Sequence, residues 1–92
     1  MKLFSAIKKN QYFDSIQTLY ATSVLSDMDG VEKAYVSMGT QAGKDVLKDL
    51  DMIDDAIDAA SDSDLIIAVS AASEDVFDDA VANVEELINN TK

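Results

Sequence analysis

Gly39 and Thr40 close one apolar stretch and open the next, and Lys44 lies about one helical turn on. Main-chain N–H groups at a helix start, a hydroxyl and a nearby ammonium can together hold a phosphate or a carboxylate. Lys8 and Lys9 end the first apolar run and can reach the same edge of a sheet. Gly39, Thr40, Lys44, Lys8 and Lys9 therefore form a candidate anion-binding set. The loop is only a fragment of a phosphate loop, without the full Gly-x-x-x-x-Gly-Lys spacing, and a simple turn with an N-cap explains the same residues.

Other chemistry is harder to find. The 92 residues contain no His, no Cys and, with seven Lys accounting for every basic residue, no Arg. The commonest general base, the thiolate nucleophile and the usual metal ligands are thus missing. Carboxylates are plentiful, but none stands in an apolar context that would raise its pKa for acid catalysis. The run Asp45, Asp49, Asp51, Asp54, Asp55, Asp58, Asp62 and Asp64 lacks the spacing, central Gly and closing Glu of a calcium loop. It reads as the solvated faces of helices. No catalytic residue, metal or cofactor is expected. Asp14-Ser15-Ile16 resembles the triplet on which acyl carrier proteins bear phosphopantetheine. Carrier proteins are helical bundles with that serine near mid-chain, however, whereas here the triplet follows a first strand. Asp14 or Ser15 is expected to cap a helix.

Size and charge set further bounds. The chain suffices for one domain, residues 1–92, with a modest core, and its 48% hydrophobic content is that of a folded protein. The net charge of −11 is unevenly spread: residues 1–44 carry five Lys against four acids, and residues 45–92 carry two Lys against 14. Such a surface is a poor match for nucleic acid or an anionic membrane, so partners are expected to be proteins or small molecules. The amino-terminal apolar run is too short for a signal-peptide core or a membrane span, which suggests a cytoplasmic protein.

These residues must be positioned by a small set of elements. Leu3–Ile7 reads as a strand. Ile16, Leu19, Tyr20, Val24 and Met28 recur at helical spacing and predict a helix over Ser15–Asp29, stopped by Gly30, with those residues on its apolar face. The alternation in VEKAYVSM puts Ala34, Val36 and Met38 on one side of a second strand. Thr40 is the expected N-cap of a helix carrying Val46, Leu47 and Leu50, and MIDDAIDAA predicts a further short helix. LIIAV at 65–69 lacks alternation, as a central strand does. A last helix begins at Ser73, with the stripe Phe77, Ala80, Val81, Val84, Leu87 and Ile88.

With the third strand between the first two, the fold is α/β (α+β): a two-layer split βαβ sandwich, ferredoxin-like or ACT-like, with segment 40–60 as a helical insertion. The alternative is a small parallel three-stranded βαβαβα sheet.

One pattern is more specific than these motifs alone. Ile7-Lys8-Lys9-Asn10 with Tyr12, Asp14, Ser15 and Ile16, then Val36, Met38-Gly39-Thr40, Ala42 and Lys44, then Asp64-Leu65-Ile66-Ile67, resembles the amino-terminal domain of FdrA proteins. These are acyl-CoA synthetase-like relatives of the succinyl-CoA synthetase subunits. The resemblance runs over nearly the whole chain, with Gly43 where relatives carry Asn. It implies a non-catalytic accessory or interaction domain docking on an acyl-CoA synthetase-like core or on carbamoyltransferase subunits, in complexes of oxamate and allantoin degradation. The open sheet edges also suit a homodimer. Beside it stands a second reading, a small ACT-like regulatory domain binding an anionic metabolite at Gly39, Thr40, Lys44, Lys8 and Lys9.

Overall fold

A computed structural model describes residues 2–90. Its elements are β1 (Lys2–Lys8), α1 (Ser15–Ser26), β2 (Val31–Met38), α2 (Gln41–Asp49), α3 (Asp55–Ala59), β3 (Leu65–Ala71) and α4 (Glu74–Asn90). The sheet order is β1-β3-β2, and β3 runs antiparallel to both neighbours. This is the split βαβ arrangement, and the antiparallel pairing excludes the parallel alternative. The absence of alternation in β3 has its expected cause: Leu65 to Val69 are buried without interruption, as a strand covered on both faces requires.

Two apolar clusters lie on opposite faces of the sheet. On one, Val36, Leu65, Ile67 and Val69 pack with Ala21 and Leu25 of α1 and with Phe77, Ala80 and Val84 of α4. On the other, Ile66 and Ala68 pack with Leu47 of α2, Met52, and Ile57 of α3. The 40–60 segment is therefore a cover as well as an insertion, and it adds a third layer to the expected two.

Local signals start the helices where the sequence suggests, whereas α1 ends at Ser26, with Asp27 as its cap, short of the expected Asp29. Asp14 forms a capping box with Gln17: its carboxylate accepts the Gln17 N–H at 2.8 Å, and its own N–H donates to Gln17 Oε1 at 2.9 Å. Asp14 is thus the cap, and Ser15 an exposed first-turn residue. Thr40 caps α2, accepting the Gly43 N–H at 3.2 Å, and Asp54 caps α3 in the same manner. Gly30, at φ 87°, supplies the left-handed turn before β2.

One element presents a different face from the one expected. In α1 the buried residues are Ala21 and Leu25, while Ile16, Leu19 and Tyr20 are 78%, 69% and 59% exposed. Apolar residues stand on two sides of the helix, among Ser, Thr and Gln, so their spacing does not settle which side meets the sheet.

Candidate functional site

The candidate anion residues lie at one end of the sheet, where β1 and β2 both finish opposite Leu65. The residue just before it, Asp64, organises that end. Its side chain is buried, and its carboxylate accepts the main-chain N–H groups of Asn10 and Ser61, each at 3.1 Å. Lys9 Nζ lies 3.4 Å from the same carboxylate, and the Asp64 carbonyl accepts the Gly39 N–H at 2.8 Å. The two main-chain donors hold the Asp64 carboxyl down at about 2, from an ordinary value of 3.8, with the Lys9 charge a smaller contributor.

The lysines of the set are engaged separately. Lys44 Nζ donates to the carbonyls of Asp58 at 2.9 Å and Ala60 at 2.7 Å, so it caps the carboxyl end of α3. Lys8 pairs with Glu85 of α4, and Lys9 with Asp64. The structure thus brings Gly39 and Lys9 together through Asp64 and directs Lys8 and Lys44 elsewhere. Gly39 and Gly43 owe their identity to close packing. A Cβ at Gly39 would meet the Ser61 carbonyl, and one at Gly43 the Ser37 hydroxyl and the Met38 carbonyl.

Beside this end of the sheet a groove of about 360 Å³ runs between the start of α1 and the start of α2. Tyr12, Asp14 and Thr18 line one side, Thr40, Gly43 and Val46 the other, with Tyr35 and Met38 also in its lining. Of the candidate anion residues only Thr40 borders it.

The groove borders an apolar surface that includes Ile16, Leu19 and Tyr20, residues expected on the buried face of α1. Tyr12 is 70% exposed and stands four residues before Ile16, which stands four before Tyr20; Leu19 lies alongside. No charged residue occurs anywhere in α1, although charged residues make up 27% of the chain. That depletion was visible in the sequence and was the available sign of this surface. Along α1 itself, beyond the exposed Asp14 cap, large apolar side chains stand exposed with no charges among them, as is characteristic of the centre of a protein interface.

A family model, HMA_AllF_N, described as "AllF, heavy metal-associated domain", matches residues 1–92. YahF of Escherichia coli (strain K12), itself uncharacterized, is 34% identical over 89 residues, which are 97% of this chain and 17% of YahF. The chain thus spans about a sixth of that relative's length. No solved structure matches. The family match overturns the FdrA resemblance, and with it the acyl-CoA synthetase-like core and the carbamoyltransferase subunits expected as partners. The quoted residues mostly recur at strand ends, caps and turns of the fold, so they mark its architecture and not that family.

The family description invites a test for a metal site, and the residues present do not fit one. Heavy metals favour thiolate and imidazole ligands, and the chain has neither Cys nor His. Among the described residues no three carboxylates gather in a cation-holding group. The thioethers of Met28 and Met38 accept hydrogen bonds from Asn83 and from the Phe13 main chain, and Met52 is buried. No helix among the described residues is long and apolar enough to cross a membrane.

Proposed function

The chain belongs to the AllF heavy metal-associated domain family, and from that membership we propose that it works as a metal-independent docking domain for the remaining body of an AllF-type polypeptide. The observation that carries the proposal is the charge-free outer face of α1, where Ile16, Leu19 and Tyr20 stand exposed together with Tyr12. Large apolar side chains on two sides of a helix are normally covered on both, and here those of one side stand exposed. Length and charge indicate the occupant. YahF has most of its length outside the matched segment, whereas a second copy would bring another net charge of −11 to the interface. The proposed setting of the longer protein is allantoin and oxamate metabolism, a link that the AllF membership supports.

Binding through this face should persist at high salt, because it buries apolar side chains and no ion pairs of α1. The test is calorimetric titration of the purified chain with the purified part of YahF outside the matched segment, at low salt and at high salt. Ile16→Lys with Tyr20→Lys is expected to abolish binding while the far-ultraviolet circular dichroism and the unfolding midpoint stay as they were. Absence of binding by the unsubstituted chain, or equal binding by the double variant, overturns the proposal.

A further inference from the structure

The two outer edges of the sheet are built differently. The β2 edge is blunted in three ways. Its register shifts between Val31 and Lys33, Glu32 and Lys33 are exposed there, and Thr22 of α1 bonds the main chain of Val36, accepting its N–H at 2.9 Å. Bulges, charges and a covering element are the usual means of keeping an edge from pairing.

The β1 edge has no bulge, and the hydrogen bond that Ser5 Oγ donates to Asp54 Oδ2 at the start of α3, at 2.6 Å, engages no main-chain group. Its seven residues pair with β3 in unbroken register, and the five between Lys2 and Lys8 are uncharged. Among the described residues no hydrogen bond from a loop or a side chain reaches the main chain of β1. Phe4, Ala6 and Ile7 stay half-buried, although helices lie over both faces of the sheet, whereas their partners on β3, Val69, Ile67 and Ile66, are buried. Alternate N–H and C=O groups along such a strand point away from the sheet.

The path of the chain indicates what belongs there. α1 carries the chain from β1 across the position of β3 to β2, and the second half of the domain repeats the move. After β3, α4 passes along β1: Phe77 near its start stacks on Phe4 with ring centroids 5.4 Å apart, and Glu85 near its end pairs with Lys8. The helix therefore leads to the end of β1 where Lys8 lies. A right-handed crossover from β3 would set the next strand parallel to β3 and beside β1, antiparallel to it.

We propose that the outer edge of β1 is a strand-acceptor site, and that its occupant is the segment that follows this domain in the longer AllF-type polypeptide, making a fourth strand in the order β4-β1-β3-β2. The site is separate from the α1 face, on a different element, and its test does not depend on that face being a docking surface.

The experiment extends the chain beyond Lys92 with the ~20 residues that follow the matched segment in YahF, a length sufficient for a turn and an ordinary strand. A second arm adds the same residues in trans as a synthetic peptide, with a scrambled peptide as control. Amide hydrogen exchange is read by NMR, and mass by sedimentation. The expected result is roughly tenfold or greater slowing of exchange at alternate residues of β1, in the fused chain or with the peptide, with β2 unchanged and the protein monomeric. Unchanged exchange along β1 in both arms overturns the proposal. So does a dimer of the unextended chain whose β1 amides are already protected, since a second copy would then occupy the edge. Loss of α1 docking with β1 protection retained would refute the functional proposal and leave this one standing.

Discussion

The carboxylate of Asp64 accepts the main-chain N–H of Asn10 at 3.1 Å, tying the loop after the first strand to the residue that opens the central one, 54 positions away. Asn10 sits at φ 57°, in the left-handed region that Asn tolerates better than most residues, and the bond to Asp64 holds it there. The same carboxylate accepts the Ser61 N–H, so one acidic group fastens two loops to the end of the sheet.

This fastening should be sensitive to acid. The Asp64 carboxyl lies at about 2 in the folded chain against 3.8 ordinarily. Its folded-state value is the lower, so the stability it contributes is complete above pH ~4 and is lost as pH falls toward 2. Asp64→Asn is expected to lower the urea midpoint at pH 7 and to flatten its decline between pH 4 and 2. Chemical denaturation at a series of pH values would show it, and an unaltered acid limb would count against the assignment.

The two sides of α1 should respond unequally to truncation. Leu25 is fully buried, and Leu25→Ala is expected to cost about 2–5 kcal/mol. Ile16→Ala, on the exposed side, should stay within about 0.5 kcal/mol. Equal losses in thermal or urea unfolding would mean that α1 is seated the other way round.

Lys44 should matter to α3 and not to anions. Lys44→Met removes the ammonium from the Asp58 and Ala60 carbonyls and should cost about 1 kcal/mol. Phosphate titrations followed by NMR should look alike for both proteins, with no saturable shift centred on Gly39 to Lys44.

At Gly39 the demand is space. Gly39→Ala would drive a methyl against the Ser61 carbonyl, which is backbone and cannot swing aside. An overpacking cost of about 1–3 kcal/mol is expected, read as a lowered unfolding midpoint.

Heavy metals should leave the domain unmoved. A ligand at 100 times its dissociation constant stabilises a fold by about 2.7 kcal/mol. Added Zn²⁺ or Ni²⁺ in modest excess is therefore expected to give no rise in the thermal midpoint, and a clear rise would show a site that these residues do not suggest.

Much of this architecture was legible from the residues. The alternation in VEKAYVSM, the uniform apolarity of LIIAV, the Asp14 and Thr40 caps and the turn at Gly30 each mark a local event that short-range chemistry decides. What stayed hidden depends on distance in space. The covering role of α2 and α3 becomes visible only once Leu47, Met52 and Ile57 are seen beneath Ile66 and Ala68. The seating of α1 could not be read from periodicity, because Ile16 and Tyr20 are spaced like the core pair Ala21 and Leu25. The anion set was assembled from residues that do end up at one end of the sheet, but Lys8, Lys9 and Lys44 each have a closer carboxylate or carbonyl, in two cases across more than fifty residues.

The central strand of the sheet is the last of the three to be made. As the chain leaves the ribosome, β1 and β2 emerge without a hydrogen-bonding neighbour, and neither can be satisfied by the other, because Leu65–Ala71 must come between them. Nascent chains that stop short of Leu65 lack the strand with which both pair in the folded domain. Folding is then committed in one late step when β3 inserts, a long-range event expected to be slow for so small a protein and to be the stage at which the chain is most exposed to chaperones and proteases.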